Sequence, residues 1–197
     1  MNFIPLKISL DEACVQDFIK RYHFNKDDEK EIIRLSRQLL PRVHAQFHYV
    51  LEEADFESEW DEKGPAKKAL VVLTLGQAFD EFQDSFLKKE DIHRAYIMDC
   101  LGLELMSVAY DELDKKLMEI TGFNPGDYVF VGDTRLPLSN LPGLMAKLGQ
   151  KQVIFNEAYV LLPKKSVVFS VPLYEEKIIK HNKCELCGAK NCKLRRA

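Results

Sequence analysis

Apolar residues run almost unbroken from 69 to 75, the most hydrophobic stretch of the chain, and this run reads as a buried strand that ends at Gly76. Elsewhere the period changes. Ile32, Ile33, Leu35, Leu39, Leu40 and Val43 recur at intervals of three and four, which predicts a helix over about 27–54 with cap candidates at 25–28. Pro41 falls inside that helix and should kink it or split it in two. Residues 11–23 begin acidic, keep helical spacing and predict an earlier helix, while 1–10 read as an edge strand or arm. Two more helices are expected at about 77–88 and 90–120, the second long, amphipathic and closed by Gly122 after Thr121. Residues 123–135 predict a loop or short strands, and 137–148 a short helix interrupted near Pro142 and Gly143. The stretches 153–162 and 166–173 read as two antiparallel strands joined through Pro163, Lys164 and Lys165.

Helices therefore dominate the first two thirds, and strands gather around 70 and between 129 and 173. That segregation predicts an α+β fold, with helices packed around a twisted antiparallel sheet. The expected organisation is one compact domain made of an N-terminal helical segment (1–66), an α+β core (67–175) and a polar tail (176–197).

The tail changes the picture. Cys184, Cys187 and Cys192 form a C-x2-C-x4-C run, and thiolates at that spacing can converge on a zinc ion or an iron–sulfur cluster. Lys183, Lys190, Lys193, Arg195 and Arg196 surround these sulfurs and favour the ionised, ligating form. Three ligands leave a fourth to be found: His181 would make His-x2-Cys-x2-Cys-x4-Cys, and Cys100 or Cys14 could close the site if the tail folds back. Otherwise Cys14 and Cys100 read as small buried hydrophobes.

The start of the chain lacks a charged region followed by an apolar run, and 69–75 is too short to span a bilayer, so a cytoplasmic protein is expected. Clustered cysteines in that compartment read as metal-binding or redox-active rather than as disulfides. The net charge of -3, with basic residues spread out except at the end of the chain, gives no reason to expect nucleic-acid binding. No dinucleotide fingerprint, phosphate loop, nucleophile elbow or zinc-protease helix motif occurs, and no nucleophile–base pair assembles.

Three weaker constellations remain. His44 and His48, four apart on the expected helix, could bind a metal or simply lie semi-buried beside Phe47. The turn Asn124, Pro125, Gly126, Asp127 and Tyr128 offers backbone amides, an acid and an aromatic ring to a small ligand, or is an ordinary loop. Glu157, in the middle of an expected apolar strand, lines a cleft or faces solvent.

An ordered set of segments resembles the activation (reactivation) domain of cobalamin-dependent methionine synthase and its stand-alone bacterial relatives. The segments are 70–76, Asp80-Glu81-Phe82, Phe86, 95–102, Asn124-Pro125-Gly126, Leu136-Pro137-Leu138-Ser139, Asn156-Glu157-Ala158 and 162–167. They span about 68–173, a little over half the chain, in the family's order. The resemblance implies a C-shaped α+β domain that binds S-adenosylmethionine in a cleft and docks on a corrinoid (cobalamin) protein or methyltransferase, so that oxidised cobalamin can be reduced and remethylated. It implies an accessory role, with the tail cysteines holding an iron–sulfur cluster or zinc, and Asn124 to Tyr128 with Glu157 as the cofactor-binding positions.

The family's Arg-x-x-x-Gly-Tyr signature is altered here. Gly122 stands at the arginine, Gly126 at the glycine and Asp127 at the tyrosine, with Tyr128 one step later, while Ser107 replaces a glutamate on the preceding helix. Losing both charged partners should weaken S-adenosylmethionine by on the order of two to four tenfold steps unless Arg135 or Glu104 compensates. The alternatives are a small-molecule binding module without redox chemistry and a zinc-stapled docking protein.

Overall fold

The computed structural model describes residues 2–11, 15–54 and 64–181. The three tail cysteines and Cys14 lie outside the described residues.

The fold is α+β and antiparallel, as the sequence pattern predicts. The central strand is β3 (Lys67–Thr74). It pairs on one side with β2 (Gln46–Glu53), which in turn carries β1 (Ile4–Pro5), and on the other with β8 (Ser166–Tyr174). The far edge of β8 holds two short strands, β4 (Asn124–Pro125) and β5 (Val129–Phe130). Alternate side chains of the sheet enter two different cores. Ala69, Val71 and Leu73 join Phe169, Val171 and Leu173 in the larger one, whereas Leu70, Val72 and Val168 face the smaller. Cover on both faces explains why β3 is apolar from Ala69 to Leu73.

Four helices cover the larger face. They are α1 (Val15–Arg21), α2 (Glu29–Leu39), α3 (Gln77–Leu87) and α4 (Ile92–Thr121). The last presents a buried stripe through Met98, Leu101, Leu105, Ala109, Leu113 and Leu117, and ends where Gly122 takes the left-handed conformation (φ 74) and donates to the Met118 carbonyl. On the other face lie α5 (Leu141–Leu148) and a hairpin of β6 (Ile154–Phe155) with β7 (Leu161–Leu162).

Three expectations are corrected. The helix expected over 27–54 stops at Leu39, passes through a 3-10 turn containing Pro41, and gives way to β2. His44 and His48 therefore share no helix face: His44 packs under Gly76, and His48 donates from Nε2 to the Leu148 carbonyl, capping the end of α5 (3.1 Å). The stretch 153–162 is not one strand paired with β8; it folds back on itself at Asn156, whose side-chain oxygen accepts from the Ala158 and Val160 amides. The helix at 137–148 is not interrupted, because Pro142 sits in its first turn, where a missing N–H costs nothing.

Candidate functional site

Asn124 and Pro125 form β4 on the far edge of β8, and residues 126–128 link it to β5. Pro125 pairs with Leu173 and Val129 with Ser170, so three residues, 126–128, stand opposite two, 171 and 172. This is a β-bulge, and it turns side chains out of the ladder while Gly126 N–H still donates to the Pro172 carbonyl (2.7 Å). Gly126 is required by close approach: a Cβ there would meet the Tyr174 ring at 2.6 Å and Pro172 at 2.9 Å. The Asn124 side-chain amide donates to the Glu175 carbonyl (3.0 Å), holding the chain beyond β8 against the bulge.

Tyr128 turns inward. Its ring packs in an aromatic group with Tyr110, Phe130 and Phe169, 4.7 Å from the Phe169 centroid. Its hydroxyl donates to Asp114 on α4 (2.5 Å) and lies 3.1 Å from the Tyr110 carbonyl oxygen. Burial, and then the Asp114 charge, hold this phenol far above its ordinary pKa, so it stays a proton donor.

The outer side of the bulge is occupied by the chain's own continuation. In the extended segment after β8, Ile178 packs toward Gly126. Lys180 Nζ reaches Asp114 (2.5 Å) and lies 4.6 Å over the Tyr128 ring. His181 donates twice to one carboxylate, from its backbone N–H to Asp127 Oδ1 (3.0 Å) and from Nδ1 to Asp127 Oδ2 (2.7 Å). Two acids thus grip two consecutive basic residues, three positions before Cys184.

Glu157 does not join this group. It is an exposed residue in the turn of the β6–β7 hairpin, which packs on the opposite sheet face. Nor do the proposed substitutes for the altered signature come free: Glu104 accepts from Arg21 (2.6 Å) and Tyr22 (2.8 Å), and Arg135 is held by Asp133. One cavity of about 300 Å³ lies between the hairpin, α5 and β8, and another of about 160 Å³ beside α1. Neither is lined by residues 124–128.

A second polar cluster escapes sequence reading. Asp80 in the first turn of α3 is 4% exposed, accepts the Lys164 N–H at Oδ2 (2.7 Å), and leaves Oδ1 without a partner among the described residues. Lys164 and Lys165 continue to Asp84 and Asp99 (2.7 Å each), so the turn after the cis Leu162–Pro163 bond is pinned to both α3 and α4. Gly102 leaves room for this, since a Cβ there would meet Phe79 at 2.6 Å and Lys165 at 2.7 Å. Only the two adjacent lysines, which need acceptors nearby, hint at the cluster in the sequence.

Among the described residues no group of three or more His, Cys, Asp or Glu side chains could hold a metal ion, and no helix is long and apolar enough to cross a membrane. No family model matches the chain, and no curated protein matches it. Among solved structures it is similar to a crystal structure of the MetH reactivation domain bound to AdoHcy, with 10% identity and a TM-score of 0.47 over 86% of this chain and 69% of that one.

Proposed function

We propose that this chain is an accessory protein that docks on a corrinoid protein or corrinoid methyltransferase and assists its reductive reactivation, with a metal ion or iron–sulfur cluster held by Cys184, Cys187 and Cys192. Two things support the reading. One is the ordered sequence resemblance over about 68–173 to the activation domain of cobalamin-dependent methionine synthase. The other, which carries it, is the clamp at the bulge: Asp114 on Lys180 and Asp127 on His181 tie the segment leading to the cysteines to the edge of the sheet. The Lys180–Asp114 ion pair contributes about 0.2–1 kcal/mol at such a partly exposed position, and the cation–π contact on Tyr128 about as much again.

The donor set suits a thiophilic centre. Bound there, iron–sulfur would supply one-electron transfer and zinc a structural staple. The chain's own residues do the rest: Tyr128 and Asn124 fix the bulge, the two carboxylates orient the tail, and the basic residues keep the sulfurs ionised.

S-adenosylmethionine is disfavoured at this site. The Asp127 carboxylate is taken by His181, Gly126 lies under Ile178, and the Tyr128 hydroxyl is spent on Asp114. Calorimetry with millimolar S-adenosylmethionine should give no binding heat; a saturable signal would restore the small-molecule reading. The reactivation role is tested by mixing anaerobically purified chain with a cob(II)alamin-loaded corrinoid protein. The expected result is a complex on gel filtration, together with a faster loss of the cob(II)alamin spectrum under limiting reductant than in the corrinoid protein alone. Absence of both overturns the proposal.

A further inference from the structure

We propose that the cleft of about 300 Å³ between the β6–β7 hairpin, α5 and β8 is a binding site for a small, uncharged, flat heterocycle with a cyclic amide edge, an N–H beside a C=O, and that this edge pairs with the main chain of Ser166. Leu141 and Val168 of its lining belong to the smaller core, on the sheet face opposite α4, so the site is independent of the corrinoid reading and of the tail.

The hydrogen-bond ladder of β8 leaves one rung empty at this cleft. Odd-numbered residues of this part of the chain bond toward β3, as the Leu75 N–H on the Lys165 carbonyl shows (2.9 Å). Even-numbered ones bond to the opposite side: the Pro172 carbonyl accepts from Gly126 (2.7 Å) and the Val168 carbonyl from Val131 (3.1 Å). Ser166 is next in that series, and Asp133 is the residue that would pair with it. The chain turns away first, at Gly132 (φ 100), and the Asp133 N–H donates to the Phe130 carbonyl instead (3.0 Å). The main-chain N–H and C=O of Ser166 therefore have no partner on that side among the described residues, although Ser166 is 7% exposed and lines the cleft. A buried main-chain pair of this kind requires a complement. What fits is what the missing residue would have offered, an acceptor and a donor side by side on one edge. A cyclic amide presents both in a rigid plane.

The walls set the rest of the ligand's chemistry. Phe130, Val131 and Leu141 supply apolar surface, and Leu138, Tyr159 and Val160 remain 45%, 38% and 49% exposed. Lys164 is the charged member of the lining, and its ammonium is engaged by Asp84 (2.7 Å), so nothing there calls for an ionic group. Tyr159 holds a positive φ of 60, fixed by its N–H on the Asn156 carbonyl (2.9 Å), and the Phe155 ring lies nearly parallel to its own (12°). A residue with a Cβ takes that conformation at a cost, and such costs gather where a side chain must be held against a ligand. An extended peptide fits less well, because only one rung of the β8 edge is free: at Lys164 the N–H is already taken by Asp80 (2.7 Å).

The test is an amide proton–nitrogen titration of the full-length chain with uracil, and with lumazine as a larger ring system carrying the same edge. The expected result is saturable movement of the Ser166, Tyr159 and Val160 amides with the Asp127 amide unmoved. 1,3-Dimethyluracil, which lacks the N–H, should bind at least about tenfold more weakly. Tyr159→Gly keeps the turn, since glycine adopts this φ freely, and should weaken uracil by about tenfold through loss of the ring. Absence of saturable movement with both heterocycles overturns the proposal. So does equal affinity for the dimethyl compound, an unmoved Ser166 amide in a chain that does bind, or unchanged uracil affinity in Tyr159→Gly.

Discussion

Asp80 keeps a carboxylate inside the fold with one oxygen matched by Lys164 N–H and the other unmatched among the described residues. Burial raises its pKa above the ordinary carboxylate value, and the Lys164 contacts only partly oppose this. Folding therefore favours the protonated form. The stability this lends is complete below the unfolded carboxyl range and is lost as pH rises through the raised folded value. Asp80→Asn keeps an acceptor for Lys164 and imitates the protonated state, so in urea unfolding it should gain on the wild type as pH rises from the ordinary carboxyl range through the raised folded value. A wild type that gains on the variant as pH rises from the ordinary carboxyl range would contradict the account. Gly126→Ala tests the close approach at the bulge. With the Tyr174 and Pro172 rings at 2.6 and 2.9 Å from the new methyl, a loss of about 1–3 kcal/mol in denaturant unfolding is expected, and no loss would mean the bulge gives way freely. Cys100 behaves as its isolated position in the sequence suggests: it is 2% exposed, and burial pushes its thiol up to about 11, which makes it unreactive.

At the scale of elements, legibility in the sequence depends on whether an element's cause is local. The buried strand β3 and the helices α3 and α4 are legible because hydrophobic runs and glycine stops mark them, Gly76 at one end and Gly122 at the other. The strand β2 is not. Residues 46–53 carry aromatic and β-branched side chains, but pairing along their whole length with 67–74 makes them a strand, and the local pattern does not contain that partner. Pro41 marks the break correctly, although the chain beyond it continues as a strand and not as a second helix. The hairpin at 154–162 is hidden for the converse reason, since the Asn156 turn is local but sits inside what reads as one apolar strand. Phe47 anchors β2 in the larger core with no exposed surface. Phe47→Ala is expected to cost about 3–5 kcal/mol in chemical unfolding, whereas a cost under about 1 kcal/mol would mean β2 is not part of the core.

For the molecule as a whole, the α+β class and the position of the turn at 124–128 are readable, while the partner of that turn is not. The sequence pattern suggests Asp127 and Tyr128 as ligand-facing, and the fold spends them on Tyr128–Asp114 and Asp127–His181 contacts within the chain. The signal is present as charge: acids at 114 and 127, and a tail basic at Lys177, Lys180 and His181, but only the sheet edge brings them together. The whole account depends on that edge holding a tail that carries a metal centre. The most direct measurement is the metal content of the full-length chain, prepared reduced and without oxygen, beside Cys187→Ser. One stoichiometric centre, zinc or iron with sulfide, present in the wild type and lost in the variant, is the predicted result. Absence of bound zinc and iron in the wild type, or equal content in the two proteins, would contradict it.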